Sequence, residues 1–290
     1  MAGMPVPAAA VLPAPGPGPA WTGGGAPGRR ALAGLLAAAA LLLAACAGPP
    51  VDARYRAQGQ DSRVQFLILH FTGENFADAL RILSTQPVSA HYLLSDETPP
   101  VVYRLVDEHR RAWHAGDSAW SGHTQLNASS IGIEIVNPGL QRLADGRLAF
   151  APYPPAQIDA LVALVRDIVT RHQIRPDRVL GHSDIAPQRK VDPGAAFPWW
   201  RLAEAGLVAW PDAGRVAALR PGHEARLPDV AWFQQGLARV GYAVPASGVL
   251  DAATRRVIAA FQMKYRPAQH EGEPDAETAA LLQALAEPAR

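Results

Sequence analysis

The stretch Val64-Gln65-Phe66-Leu67-Ile68-Leu69 limits the fold more than any other part of the chain. It is too short for a buried helix and scarcely alternates with polar residues, so it suits a strand covered on both faces. Such a strand needs a sheet around it and helices against it. The neighbouring segments supply both. Phe76, Leu80 and Leu83 recur at helical spacing until Pro87 stops them. His91-Tyr92-Leu93-Leu94 and Val101-Val102-Tyr103-Arg104-Leu105-Val106 read as a strand pair. Ile131-Gly132-Ile133-Glu134-Ile135-Val136 alternates as a strand and is halted by Asn137-Pro138-Gly139. Ile158, Leu161, Val162, Val165, Ile168, Val169 and His172 share one face of a long helix, opened by Pro154-Pro155 and closed before Pro176. Val179-Leu180 is a last short strand. The expected class is α/β, a sheet flanked by helices, over residues 63–205.

A change of pattern follows. Residues 206–221 read as a linker and 222–290 as a small three-helix domain. Val230, Phe233, Leu237 and Val240 form one helix face. Asp251 and Asp275, in Asp-Ala-Ala-Thr and Asp-Ala-Glu-Thr, are placed as N-caps of the next two helices.

The first 46 residues read as an address. Residues 1–28 are rich in Pro, Gly and Ala without a hydrophobic period, which cannot offset ordering entropy. Arg29-Arg30 then precede the uncharged apolar run Ala31–Ala45, too short for a comfortable membrane span of about 20 residues. The run ends in Leu43-Ala44-Ala45-Cys46, which resembles a bacterial lipoprotein box, so Cys46 is the expected lipid attachment point. Ala47 in place of Asp directs such a lipoprotein, by the same resemblance, to the outer membrane facing the periplasm. Residues 47–62 are then a tether. Cys46 is the single cysteine, so an internal disulfide and a CxxC zinc site are both excluded. Net charge is +1 with no basic run, so a nucleic-acid partner is not expected. Nothing in the sequence sets an oligomeric state.

Hydrolysing an amide at neutral pH can be done with a metal that acidifies water, a carboxylate that takes its proton, and a cation or donor for the oxyanion. Without cysteine pairs, a metal here must be held by His, Asp or Glu. His70 ends the first strand. His182 follows Val179-Leu180, in Gly181-His182-Ser183-Asp184. Asp192 and Lys190 stand two residues apart in Gln188-Arg189-Lys190-Val191-Asp192-Pro193-Gly194, on one side of the backbone if it is extended. Glu134 sits among isoleucines, an unusual setting for a carboxylate. Taken singly, each also fits a plainer role: a hydrogen-bonded histidine, an outward strand residue, a solvated lysine, a turn-capping aspartate.

Together with Ala112-Trp113-His114-Ala115-Gly116 and Leu126-Asn127-Ala128-Ser129-Ser130, these segments resemble, in order, the N-acetylmuramoyl-L-alanine amidases of the AmpD and AmiD type, the amidase-2 family. The resemblance spans about residues 63–200 and is most specific in Gly181–Gly194. It implies a mixed central β-sheet flanked by helices, and zinc held by His70, His182 and Asp192, with Glu134 as the base and Lys190 stabilising the oxyanion. It also implies pocket positions for His114 and Asn127, read as substrate contacts, while His91 is assigned to packing. The expected substrate is peptidoglycan or its muropeptides, cut between N-acetylmuramic acid and L-alanine. The leader and the extra C-terminal unit resemble the AmiD lipoprotein branch. Phe233-Gln234-Gln235-Gly236-Leu237, Gly241-Tyr242, Gly248–Arg255 and Ala260-Phe261-Gln262 resemble a peptidoglycan-binding module, from which Met263–Pro274 departs. Two other readings stay open on sequence: a peptidoglycan recognition protein that binds without cutting, and a zinc peptidase acting within the stem peptide.

Overall fold

The computed structural model describes residues 51–287, with Gly16, Gly18 and Pro49. The leader and Cys46 lie outside the described residues. Residues 51–60 form no helix or strand, and the described residues from Asp61 onward gather into one unit.

In chain order, the elements through the first hairpins are β1 (Phe66–Phe71), α1 (Phe76–Thr85), β2 (Tyr92–Leu94), β3 (Val102–Arg104), β4 (Ala119–Trp120), β5 (His123–Thr124), β6 (Ser130–Ile135), β7 (Leu140–Arg142) and β8 (Leu148–Phe150). Then come α2 (Pro155–His172), β9 (Val179–Gly181), the single turn α3 (His182–Ile185) and α4 (Trp199–Glu204). The chain ends in α5 (Ala213–Ala225), α6 (Val230–Val240), α7 (Ala252–Tyr265) and α8 (Ala276–Ala286). Among the described residues, no helix is long and apolar enough to cross a membrane.

The main sheet runs β3-β2-β6-β1-β9. β3 is antiparallel to β2, and the remaining pairs are parallel. The mixed sheet flanked by helices is as expected, and the reason is visible in β1. Leu67 and Leu69 turn to one face, where Ile131, Ile133 and Ile135 meet Ile158, Leu161, Val165 and Ile168 of α2. Phe66 and Ile68 turn to the other face and pack with Phe233, Leu237, Ile258 and Phe261 of α6 and α7. Every residue of β1 from Phe66 to His70 is buried. Leu93 of β2 is covered by Ala79 of α1.

The C-terminal helices therefore supply the second helical layer over part of the sheet. The stretch read as a linker carries α5, capped by Asp212 accepting from the Arg215 backbone N–H, so there are four helices where three were expected. Sequence pattern missed α5 because its pattern is weakly amphipathic and Pro221 lies inside it. The caps of α7 and α8 are as expected: Asp251 accepts from Thr254 N–H and Asp275 from Thr278 N–H.

Candidate active site

Three strands deliver the site. His70 is the fifth residue of β1, and parallel register places it beside Glu134 of β6. β9 ends at Gly181, so His182 begins the α3 turn at the same edge of the sheet. This is the carboxyl end of the parallel strands, where open α/β sheets form their ligand crevices. The loop from α3 returns Asp192 to the other two, held by Ser183 N–H donating to Asp192 O at 2.8 Å and by Tyr153 OH donating to Pro193 O at 2.8 Å.

His70 Nδ1, His182 Nδ1 and Asp192 Oδ2 form a nearly equilateral triangle with edges of 2.9, 3.0 and 3.0 Å. All three residues are buried. The outer hydrogen bonds fix what each ring presents. Ser130 Oγ donates to Leu126 O at 2.6 Å, so it must accept from His114 Nε2–H at 3.1 Å. His114 Nδ1 is then an acceptor for His70 Nε2–H at 3.0 Å, which leaves a lone pair on His70 Nδ1. His182 Nε2–H donates to Ala115 O at 3.2 Å, freeing Nδ1 in the same way. Burial and the neighbouring His182 push His70 down to about 4, so its ring is neutral at pH 7.

Two imidazole lone pairs and a carboxylate oxygen thus face one another with no proton to share. That donor set suits a divalent ion. Tetrahedral zinc with bonds of about 2.0–2.1 Å sets its ligand atoms about 3.3 Å apart, close to the edges seen here. Among the described residues, this is the one such His/Cys/Asp/Glu group.

The triangle opens on a cleft of about 270 Å³. Glu134 and Lys190 line it beside His70, His182 and Asp192, while Ile82, Leu83 and Val88 form an apolar wall. Glu134 Oε2 is buried and without a hydrogen-bond partner. Burial, then the Asp192 charge, push its carboxyl well above the usual range, with Lys190 opposing. Such an orphaned carboxylate is what a group that trades protons with a ligand looks like before the ligand arrives.

His114 lines the cleft beside His70, the pocket position expected of it, and Asn127 lines a neighbouring hollow with Trp113. Both His114 ring nitrogens are engaged within the protein, as described above. Asn127 Oδ1 accepts from the His114 and Ala115 backbone N–H groups, at 3.0 and 2.7 Å, and so clamps the Trp113–Gly116 loop. Gly132 is required beneath His114, since a Cβ there would lie 2.4 Å from the imidazole. His91 is buried and packs as expected: its Nδ1 accepts from Gly132 N–H at 3.0 Å. The sequence reading gives Arg189 no role. Its guanidinium donates to the carbonyls of Ala115 and Asp117, tying the Trp113–Gly116 loop to the loop that carries Asp192. Ser130 and Asp184 were also missed; both stand inside quoted motifs, but hydroxyl and carboxylate partners distant in sequence leave no local signal.

A family model described as N-acetylmuramoyl-L-alanine amidase matches residues 60–195, and a peptidoglycan binding domain model matches residues 226–282. N-acetylmuramoyl-L-alanine amidase AmiD of Escherichia coli is 46% identical over 267 residues, covering 87% of this chain and 96% of that one. The structure of that amidase in complex with its substrate anhydro-N-acetylmuramic acid-L-Ala-D-γ-Glu-L-Lys superposes with a TM-score of 0.75, over 83% of this chain and 95% of the other. AmpDh3 of Pseudomonas aeruginosa, solved with an anhydromuramic pentapeptide, is 40% identical with a TM-score of 0.76, over 83% of this chain and 98% of the other. Sharing sequence and fold with these proteins across both the catalytic region and the C-terminal helices, the chain belongs to the N-acetylmuramoyl-L-alanine amidase family.

Proposed function

We propose that the chain is a zinc-dependent amidase that hydrolyses the bond between the lactyl group of N-acetylmuramic acid and L-alanine in peptidoglycan and its muropeptides. The observation that carries this is the triangle of His70 Nδ1, His182 Nδ1 and Asp192 Oδ2, with the unpartnered Glu134 carboxylate in the same cleft. The complete ligand set favours hydrolysis over recognition without cutting. His70, His182 and Asp192 would hold the zinc, which when bound would lower the pKa of water toward about 7 and polarise a carbonyl.

The protein's own groups do the rest. Glu134 takes the water proton on its free oxygen and passes it to the departing alanine nitrogen. Its raised pKa suits both halves of that exchange, since the protonated form must survive long enough to act as an acid. Lys190 supplies a fixed positive charge at the cleft for the oxygen that becomes negative. His114 and Asn127 act behind these groups, one orienting His70 and the other holding the loop that carries His114.

The leader supports a location for the enzyme in the cell envelope, where its polymer is. Arg29-Arg30, the Ala31–Ala45 run and Leu43-Ala44-Ala45-Cys46 favour a lipid on Cys46 and an outer-membrane anchor facing the periplasm, with residues 47–62 as tether. Palmitate labelling of the parent and of Cys46→Ser tests this, since only the parent should take up label. The reaction itself is tested by mass spectrometry of purified muropeptides, with and without chelator. Peptides bearing a free N-terminal L-alanine, lost on chelation, are expected. Cuts within the stem peptide, or zinc-independent release, would refute the assignment.

A further inference from the structure

Asp184 lies two residues after His182, in the single turn α3, and is 1% exposed. Its Oδ2 accepts from Gly181 N–H at 2.8 Å, closing the turn on which the His182 backbone is fixed. The remaining donors to this carboxylate come from the C-terminal helical region. Tyr242 OH donates to Oδ1 at 2.6 Å, and Lys264 Nζ donates to Oδ2 at 2.9 Å. Lys264 is 3% exposed, also donates to Val179 O of β9 at 3.2 Å, and sits 4.2 Å above the Trp199 ring. Tyr242 is buried and pairs across an isolated bridge with Trp120. Ser121 N–H donates to Gly241 O at 2.8 Å beside it.

A buried Lys–Asp pair is poor evidence of stabilisation, because desolvating two charges costs several kcal/mol per ion. Its value lies in direction: three donors converge on one carboxylate, so the α3 turn has a single low-energy placement. Gly181, at the start of that turn, leaves little slack, since a Cβ there would meet Pro193 at 2.7 Å. The ligand-bearing turn is thereby gripped from the strand side and from α7 together.

We infer that the C-terminal helical region is a positioning element of the metal centre: through Tyr242 and Lys264 it holds Asp184, and through Asp184 it sets the His182 ligand. The region that the family comparison relates to peptidoglycan binding thus has a second role inside the hydrolase itself. Detaching it would loosen the metal site even where substrate binding does not depend on it.

The inference rests on the zinc assignment above, and the experiment separates the two. The full chain is compared with Tyr242→Phe, which removes one hydrogen bond and keeps the ring. It is also compared with the double variant Lys264→Met/Asp184→Asn, which removes both charges so that neither is left buried alone. Arg239→Ala, an exposed α6 position, is the control. Zinc affinity is read by competition with a chromogenic chelator, and ligand geometry by the visible absorption of the cobalt(II)-loaded proteins; thermal melting is followed in parallel. The double variant should bind zinc about tenfold more weakly, the low end for partners behind metal ligands, and Tyr242→Phe, which removes one of three donors, about threefold. Both should alter the cobalt spectrum, while the control matches the parent. Unchanged zinc affinity and cobalt spectra in both variants, with or without a lower melting temperature, would overturn the inference and leave the network a structural one. A parent chain that binds no zinc would instead overturn the metal assignment on which it stands.

Discussion

Replacing Glu134 by Gln should slow the enzyme and stabilise its metal-free form, two effects from one cause. The carboxylate has a buried oxygen with no hydrogen-bond partner, and burial raises its pKa well above the 4.5 of an ordinary glutamate. An unsatisfied buried polar group costs about 1–3 kcal/mol, more when charged; Lys190 offsets part of this, so a net gain of about 1 kcal/mol for the neutral amide is reasonable at pH 7. In a chain of this size that raises the melting temperature by about 2–4 °C. The sign follows from linkage. Below pH 4.5 the carboxyl is protonated in both folded and unfolded chains, and the penalty vanishes. As pH rises through 4.5 the unfolded chain ionises while the folded one resists, so the advantage of Gln grows toward neutrality. Turnover should fall about 10²–10⁴-fold, the scale of a lost acid–base group, with zinc retained. The assay pairs melting curves of the chelated proteins between pH 4 and 8 with muropeptide hydrolysis and zinc content of the loaded ones. Parental turnover would show that Glu134 is not the proton carrier, and a variant less stable than the parent at pH 7 and equal to it at no pH would show that it is not a strained carboxylate.

Other consequences can be checked in the same way. His182→Ala and Asp192→Ala each remove one corner of the triangle; both should lose stoichiometric zinc, and with it the stabilisation of about 4 kcal/mol that a ligand at about a thousand times its Kd provides, read as loss of the zinc-dependent rise in melting temperature. Gly132→Ala places a Cβ 2.4 Å from the His114 ring, so His114 must leave His70, and zinc affinity should weaken about 10–100-fold in the chelator competition; affinity within twofold of the parent would count against His114 as the orienting partner. Glu108 is held down to about 2, chiefly by the Arg171 guanidinium, with help from His172 and Tyr92. Its contribution is full above the unfolded value of 4.5 and is lost as pH falls toward 2, so Glu108→Gln should flatten the acid limb of the stability curve in that window.

The core of the hydrolase was largely legible before any coordinates. Strand and helix segments from Val64 to Leu180 announce themselves through apolar runs and helical spacing, because burial on both faces or on one stripe leaves a periodic trace. The zinc and proton-handling candidates were legible through motif resemblance, although periodicity alone left each with a plainer reading. The β4–β5 and β7–β8 hairpins escaped notice, being only two or three residues per strand. Helix α5 escaped for lack of a strong apolar face. The pocket positions of His114 and Asn127 are visible from the motif, whereas their hydrogen bonds to His70, Ser130 and the Trp113–Gly116 loop are not.

What the sequence by itself determined was the inventory: a buried strand with a histidine near its end, a glutamate among isoleucines, a Lys-Val-Asp segment, and aspartates placed to cap helices. Each depends on neighbours within a few residues, where chain connectivity fixes geometry. Tertiary structure alone decided which atoms meet. Ring tautomers are set by Ser130 and Ala115, far away along the chain, and the α3 turn is set by Tyr242 and Lys264, 58 and 80 residues beyond Asp184. Hydrogen bonds are short-ranged and directional, so only the folded chain brings such partners together; no window of sequence contains them.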